Sequence, residues 1–126
     1  MKNLPSWGKH LVVDAAGCTE AINDKAAIEA FIKQLVVDID MKAYGEPDIE
    51  WFAEHDPTKA GFTLVQLIET SAVVCHFVPA TMTLHFDAFS CKDFDSETVV
   101  ALLRHHFGIK AWNQKEFSRE APDLNS

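Results

Sequence analysis

Cysteine is scarce in this sequence of 126 residues, and its three copies, Cys18, Cys75 and Cys91, are widely separated. An odd number of cysteines without CxxC spacing favours reduced thiols over a disulfide framework or a zinc site. The histidines other than His76, including the adjacent pair at 105 and 106, form no recognisable metal-binding pattern. We therefore expect no metal ion.

Basic residues are also few. The chain has 11 lysines and arginines against 19 aspartates and glutamates, for a formal charge of -8. A nucleic-acid surface needs a clustered excess of basic residues, so no nucleic-acid partner is expected. The apolar stretch that begins at Leu11 is interrupted by Asp14, which argues against a signal peptide or membrane span there. These features predict a cytoplasmic protein with no membrane partner.

The remaining pattern is that of a globular domain in which strands outnumber helices. Strands are predicted near residues 9–15, 49–53, 62–70, 72–78, 81–91 and 109–117. One helix should begin near Asn23 or Asp24 and stop at residues 44–47, and another should run from Asp95 or Ser96 to Gly108. We expect one domain over residues 1–126, an α+β two-layer sandwich with an antiparallel sheet and two helices packed on one face.

The predicted strand at 81–91 has a clear period of two, typical of a half-buried strand. One face carries Met82, Leu84, Phe86 and Ala88, and the other carries Thr83, His85, Asp87, Phe89 and Cys91. The second face is the more polar and ends at Cys91.

Three residues could each have an ordinary structural role when considered alone: Ser71, His76 and Cys91. Together they lie in "GFTLVQLIETSAVVCHFVPATMTLHFDAFSC", residues 61–91. This segment resembles, without a gap, the central segment of the prokaryotic S-adenosylmethionine decarboxylases, which are pyruvoyl-dependent enzymes of polyamine synthesis. The family's reactive serine falls on Ser71, its processing histidine on His76, its catalytic cysteine on Cys91 and its processing hydroxyl on Thr63. With Pro79, Asp87 and "GKHLVVDAAGC" near the N-terminus, the resemblance covers most of residues 8–108.

The resemblance implies a self-processing enzyme. Ser71 would attack the carbonyl of Thr70 to form an ester, and elimination and hydrolysis would leave a covalent pyruvoyl group at Ser71, with His76 and Thr63 assisting. The chain would divide between Thr70 and Ser71. The pyruvoyl ketone can form a Schiff base with the amine of a small-molecule substrate and accept electrons as CO2 leaves, and Cys91 would reprotonate the substrate. The family also implies a homodimer in which each site draws on both protomers.

The strand period raises a geometric requirement. Ser71 and His76 are five residues apart, so an undistorted strand would place them on opposite faces. We therefore expect a bulge in this strand or a sharp turn at the Ser71 junction.

Two short stretches depart from the family pattern. Where the family has Glu-Ser-His, this sequence has Thr70-Ser71-Ala72. Cleavage at Glu69-Thr70, which would give an oxobutanoyl group, is therefore an alternative. The spacing to His76 and Cys91 favours cleavage at Ser71. The family's Trp-Pro-Glu is replaced by Val-Pro-Ala at residues 78–80.

The second departure leaves the substrate-binding residues open. Trp51 or Phe52 could stack on adenosine, with core packing the other role for each. Asp14, Glu69 and Asp87 could bind a substrate amine or hydroxyl, with strand-edge or solvated roles as the alternative. Another amino acid, such as ornithine or arginine, is a possible substrate, and an unprocessed non-catalytic homologue is the remaining alternative.

Overall fold

The computed structural model describes residues 7–124. Its elements in chain order are β1 (Gly8–Ala16), a single 3-10 turn (Glu20–Asn23), α1 (Lys25–Asp38), β2 (Asp48–Phe52), β3 (Gly61–Ile68), β4 (Ser71–Val78), β5 (Thr83–Ser90), α2 (Ser96–Phe107) and β6 (Ala111–Arg119). The strands form one antiparallel sheet in the order β2-β3-β4-β5-β1-β6, so β4 and β5 are central. The predicted α+β two-layer sandwich is confirmed.

Both helices contribute their apolar faces to the same core as the sheet. In α1 the buried residues recur at the predicted helical spacing and are Ile28, Phe31, Ile32, Leu35 and Val36. Asp24 caps α1 by accepting a hydrogen bond from the Ala26 N–H, and Asp95 caps α2 by accepting one from the Glu97 N–H. Gly108 ends α2 with a φ of 66°, as its position after the apolar pattern predicts.

Helix α1 ends earlier than the predicted stop at residues 44–47. Asp40 adopts a left-handed conformation with a φ of 58°. The Met41 N–H bonds to the Val36 carbonyl and the Asp40 N–H bonds to the Val37 carbonyl, which together form a Schellman motif. Because an aspartate rather than a glycine occupies the left-handed position, the sequence pattern did not reveal this end, and the prediction was wrong.

The predicted strand at 81–91 is shortened at its N-terminal end. Leu84, Phe86 and Ala88 are buried on one face, as the alternation predicts. Met82 lies before β5 with a φ of 52° and packs, partly buried, against the core. A residue in the left-handed region cannot continue a strand, so β5 begins at Thr83.

The sheet face opposite the helices is uncovered within residues 7–124, and we call it the open face. Strand alternation and register place on it Thr63, Val65, Leu67, Ala72, Val74, His76, His85, Asp87, Phe89, His10, Val12, Asp14, Asn113, Lys115 and Phe117. Leu67, Val74 and Phe117 are exposed there. None of the helices in the described part of the chain is long and apolar enough to cross a membrane.

Candidate functional site

Ser71 is the first residue of β4 and follows a tight turn formed by Glu69 and Thr70. The turn joins β3 to β4, and Ser71 pairs across the strands with Ile68 on one side and Ser90 on the other. The Glu69 N–H bonds to the Lys42 carbonyl at 2.9 Å. The backbone at this junction is therefore fixed on both sides of the Thr70-Ser71 bond.

The carbonyl of Thr70, which the predicted reaction would attack, is not free. It accepts a hydrogen bond of 3.1 Å from the backbone N–H of Cys91. A donor in this position polarises the carbonyl and can stabilise negative charge that develops on its oxygen. The structure thus brings three of the predicted site residues, Thr70, Ser71 and Cys91, together at one end of the central strands.

The thiol of Cys91 differs in environment from the other two thiols. Cys91 is exposed, and it lines a cleft of about 670 Å³ with Gly8, Lys9, Asp93, Glu116, Phe117 and Ser118. Cys18 and Cys75 are buried, and burial raises the pKa of Cys18 to about 11 and the pKa of Cys75 well above its usual value. Among the cysteines, Cys91 has the accessible thiol.

The side chain of Thr70 is held by a chain of hydrogen bonds. The Ser90 hydroxyl donates to Thr70 Oγ1 at 2.8 Å, and the Thr70 hydroxyl donates to Met41 Sδ at 3.4 Å. Ser90 Oγ in turn accepts from the Lys92 N–H at 2.9 Å. Sequence reasoning missed Ser90 and Met41, because they reach the junction only through the sheet register and the chain after α1.

Thr63 and His76 form a second cluster on the open face. The Thr63 hydroxyl and His76 Nδ1 are 2.6 Å apart, and His76 Nε2 lies 2.8 Å from the carbonyl oxygen of Lys59. A carbonyl can only accept, so Nε2 carries a proton and donates it to Lys59. In the neutral imidazole Nδ1 is then an acceptor, and the Thr63 hydroxyl donates to it.

Gly61 allows this second cluster to form. A Cβ at Gly61 would overlap the carbonyl oxygen of Phe77 in the adjacent strand. The absence of a side chain lets the start of β3 approach β4 closely, two residues before Thr63.

The two clusters lie at opposite ends of β4. The pairing of β4 is continuous from Ser71 to His76 with β3 and from Ser71 to Val78 with β5, so of the two expected features the bulge is absent. The expected sharp turn is present just before Ser71, but it does not bring Ser71 to the face that carries His76. Five residues of regular strand separate Ser71 from His76 by about 16 Å, so they cannot meet within one protomer.

Two imidazole-carboxylate pairs also lie on the open face, where they join β1 to β5. His85 Nδ1 is 2.7 Å from Asp14 Oδ1, and His10 Nε2 is 2.9 Å from Asp87 Oδ1. The register of β1 against β5 pairs Asp14 with His85 directly. The alternation of residues within β1 and β5 could have predicted from the sequence that these four side chains point outward. Which histidine meets which aspartate depends on the register between the strands, which the sequence pattern does not give. No group of three or more histidine, cysteine or acidic side chains within residues 7–124 is placed to hold a metal ion.

The predicted substrate-binding residues do not lie in one place. Trp51 stacks edge-on against Phe62 at the end of the sheet that carries Thr63, and Phe52 pairs with Gly61 at the same end. Glu69 lies at the other end, in the junction turn, where its carboxylate is 3.6 Å from Lys42 Nζ.

A further aromatic group, which sequence reasoning missed, lies at the Cys91 end of the sheet. The rings of Trp7 and Phe89 are 5.7 Å apart, and the Arg119 guanidinium lies 4.6 Å from the centre of the Phe89 ring. Trp7, Phe89 and Arg119 line a cleft of about 440 Å³ with residues 120 and 121.

The fold and the junction together define a class: a two-layer α+β domain in which a serine at the start of a central strand directly follows a hydrogen-bonded carbonyl. The family model for S-adenosylmethionine decarboxylase matches residues 9–120, so the chain belongs to that family. A similar solved structure is the crystal structure of the adenosylmethionine decarboxylase from Aquifex aeolicus VF5. It has a TM-score of 0.78 and 16% sequence identity, with 98% of each chain covered, and at this identity it supports the fold. No curated protein sequence matches the chain.

Proposed function

We propose that this protein decarboxylates S-adenosylmethionine with a pyruvoyl group that it makes from Ser71. The observation that carries the proposal is the junction geometry: Ser71 follows a tight turn, and the carbonyl before it already accepts a hydrogen bond from Cys91. Within residues 7–124 no other residue hydrogen-bonds the Ser71 hydroxyl, so it is available as a nucleophile. These residues fit a group generated from the backbone at this position.

The first step is an acyl shift from nitrogen to oxygen. Ser71 Oγ bonds to the carbonyl carbon of Thr70, the bond from that carbon to the Ser71 nitrogen breaks, and the hydroxyl proton passes to the nitrogen. The Cys91 N–H stabilises the charge that develops on the Thr70 oxygen. Loss of the Ser71 α-proton then breaks the ester and leaves Thr70 as a carboxylate. Residue 71 becomes dehydroalanine, which water converts to a pyruvoyl group with release of ammonia.

Cleavage at Ser71 is favoured over the alternative at Glu69-Thr70. For the alternative, the Thr70 hydroxyl would have to attack the Glu69 carbonyl. That hydroxyl is already committed, since it accepts from Ser90 and donates to Met41. The neighbouring Ser71 hydroxyl has no such commitment.

A ketone at residue 71 supplies an electrophile for a substrate amine and a sink for the electron pair released when CO2 leaves. The residue best placed to return a proton to the substrate is Cys91, because its thiol is exposed in a cleft and its backbone contacts the junction. The two buried thiols have no access to a substrate.

We also propose a homodimer that joins the two clusters. β4 is central, and its two ends carry Ser71 and His76 respectively. If two open faces stack about a twofold axis that runs across the strands, each β4 lies over its counterpart with its ends exchanged. The Thr63-His76 pair of one protomer then lies at the Ser71 end of its partner. Each processing and catalytic site would draw on both chains.

The open face has the character of such an interface. Leu67, Val74 and Phe117 expose apolar surface that stacking would bury. Two carboxylates on the face, Asp14 and Asp87, already have hydrogen-bond partners in His85 and His10, which limits the cost of burying them. Trp51 and Phe52 lie at the end that carries His76, so a partner would supply them for substrate stacking.

The product, decarboxylated S-adenosylmethionine, would serve aminopropyl transfer in spermidine synthesis, with a cytoplasmic location. The replaced turn at residues 78–80 keeps another amino acid, such as ornithine or arginine, as the alternative substrate. The replacement of the family's histidine by Ala72 keeps an unprocessed non-catalytic homologue as the other alternative.

Intact-mass measurement of the purified protein tests the proposal. We expect two chains, residues 1–70 and a pyruvoyl-headed 71–126, the second reactive toward hydroxylamine and reducible by borohydride. The variant Ser71→Ala should remain one chain. Release of labelled CO2 from S-adenosylmethionine, ornithine and arginine, each assayed separately, then identifies the substrate. A single full-length wild-type chain without a reactive carbonyl would refute the pyruvoyl mechanism.

A further inference from the structure

Ser90 is a buried polar residue at the cleavage junction that takes no part in the bond changes described above. Its side chain is 1% exposed, although serine is usually a surface residue. It is the last residue of β5, directly opposite Ser71 in the register, and it precedes Cys91 in the chain. A buried hydroxyl at this position calls for a set of specific hydrogen bonds.

The hydrogen bonds of Ser90 have a fixed direction. The Lys92 N–H can only donate, so Ser90 Oγ accepts from it at 2.9 Å. The Ser90 proton is then free to go to Thr70 Oγ1 at 2.8 Å, and the Thr70 proton points to the Met41 sulfur. The longer approach of Ser90 Oγ to the same sulfur, 3.8 Å, competes weakly for the single Ser90 proton.

Residues 90–92 therefore hold Thr70 at two points. The Ser90 hydroxyl fixes the side chain of Thr70, and the Cys91 N–H fixes its carbonyl at 3.1 Å. With both groups held, rotation of the Thr70 carbonyl away from the Ser71 hydroxyl is resisted. Reactions between adjacent groups are sensitive to such displacements.

We propose that Ser90 is a positioning residue for self-processing and that it selects the Thr70-Ser71 bond for cleavage. This inference rests on the proposed function. In the selected step Ser71 Oγ bonds to the Thr70 carbonyl carbon, the carbon-nitrogen bond to residue 71 breaks, and the hydroxyl proton moves to that nitrogen. In the competing step the Thr70 hydroxyl would attack the Glu69 carbonyl. Ser90 opposes it by occupying a Thr70 lone pair and directing the Thr70 proton toward Met41.

The main test compares Ser90→Ala with Ser96→Ala in the full chain. Ser96 is a matched control because it is also buried, at 7% exposed, but its hydroxyl has no hydrogen-bond partner in the described part of the chain. The first-order rate of self-cleavage is measured by intact mass. We expect it to fall about tenfold or more in Ser90→Ala and to stay within about twofold in Ser96→Ala. An unchanged rate and cleavage site in Ser90→Ala would overturn the proposal.

A double-mutant cycle separates positioning from general loss of structure. Thr70→Val removes the same hydrogen bond from the other side, so it should slow cleavage similarly, and the double variant should be no slower than either single variant. Additive losses would contradict the proposal. If Ser90→Ala folds poorly, Thr70→Val alone keeps the test available, because Thr70 is less buried.

Hydroxylamine identifies the affected step. It cleaves an ester once the acyl shift has occurred, so it should not restore the rate of Ser90→Ala. Restoration to the wild-type rate would show an intact acyl shift and overturn the proposal. Failure of the wild-type chain to cleave at all would instead refute the proposed function, and the two failures are thereby distinguished.

Discussion

The Thr63 hydroxyl and His76 Nδ1 are 2.6 Å apart across β3 and β4, on the face of the sheet that no described helix covers. The same strand β4 begins at Ser71, about 16 Å away. One chain thus carries both halves of the proposed processing machinery but keeps them apart. A second copy stacked with its strands reversed would bring the His76 end of one chain to the Ser71 end of the other.

Co-expression of two inactive variants tests this composite site. His76→Ala alone should cleave about 100-fold more slowly than wild type, because it lacks the proposed general acid-base group, and Ser71→Ala alone should not cleave. In the proposed mixed dimer, the Ser71 junction of the His76→Ala chain lies at the same end as an intact His76 from its partner. We expect the His76→Ala chain to be cleaved when the two are co-expressed, which intact mass detects.

The control for complementation is the double variant Ser71→Ala/His76→Ala as partner. It supplies no His76, so the His76→Ala chain should be cleaved as slowly with this partner as it is alone. Cleavage that stays equally slow with either partner would exclude the reversed stacking.

Local patterns in the sequence predicted most of the helices and strands but not the contacts between them. The spacing of Phe31 and Leu35 indicated a helix, and the alternation of Leu84 and Phe86 indicated a strand, because each pattern arises within one element. The end of α1 at Asp40 was missed, since an aspartate in a left-handed conformation leaves no glycine signal.

The contacts within the candidate site depend on the register between strands, so local sequence patterns could not predict them. The Thr70-Cys91 contact joins residues 21 positions apart, and only the pairing of Ser71 with Ser90 places them together. The family resemblance supplied the proposed roles of Ser71 and Cys91 without that geometry. It could not show that Trp51 and Glu69 lie at opposite ends of the sheet, because this follows from the antiparallel order of β2, β3 and β4.

Gly61→Ala should destabilise the fold by about 3 kcal/mol, near the upper end of the usual range for single substitutions. Its Cβ would overlap the backbone carbonyl of Phe77, which cannot move without shifting β4. The measurement is urea denaturation. Gly45→Ala is the control: it meets no atom within 4 Å but has a φ of 75°, so it should lose only about 1 kcal/mol. Equal losses would show that close approach at Gly61 is unimportant.

Thiol labelling should distinguish Cys91 from the buried cysteines. In native protein at pH 8, iodoacetamide should modify Cys91 at a rate on the order of 100-fold above that of Cys18 or Cys75, because burial denies access to both and raises their pKa values. Mass measurement should show one label before urea and three after it. Cys91→Ser should take up none in the native state. Rapid labelling of that variant would contradict the burial of the other two thiols.

His106 should make the stability of the fold decrease in mild acid. Burial is the main cause that lowers its pKa from 6.5, with the neighbouring His105 adding to the effect, and its Nε2 lies 2.6 Å from Gln34 Oε1. The unfolded chain binds a proton at His106 more readily than the folded chain does. The contribution of neutral His106 to the free energy of unfolding is therefore present above pH 6.5 and is lost as the pH falls through 6.5 toward the lowered folded-state pKa. Urea midpoints at pH 7.5 and 5.5 measure the change, with His106→Gln as the comparison. The wild-type midpoint should fall more than that of the variant, since glutamine does not titrate, and an equal fall would assign the acid sensitivity to other groups.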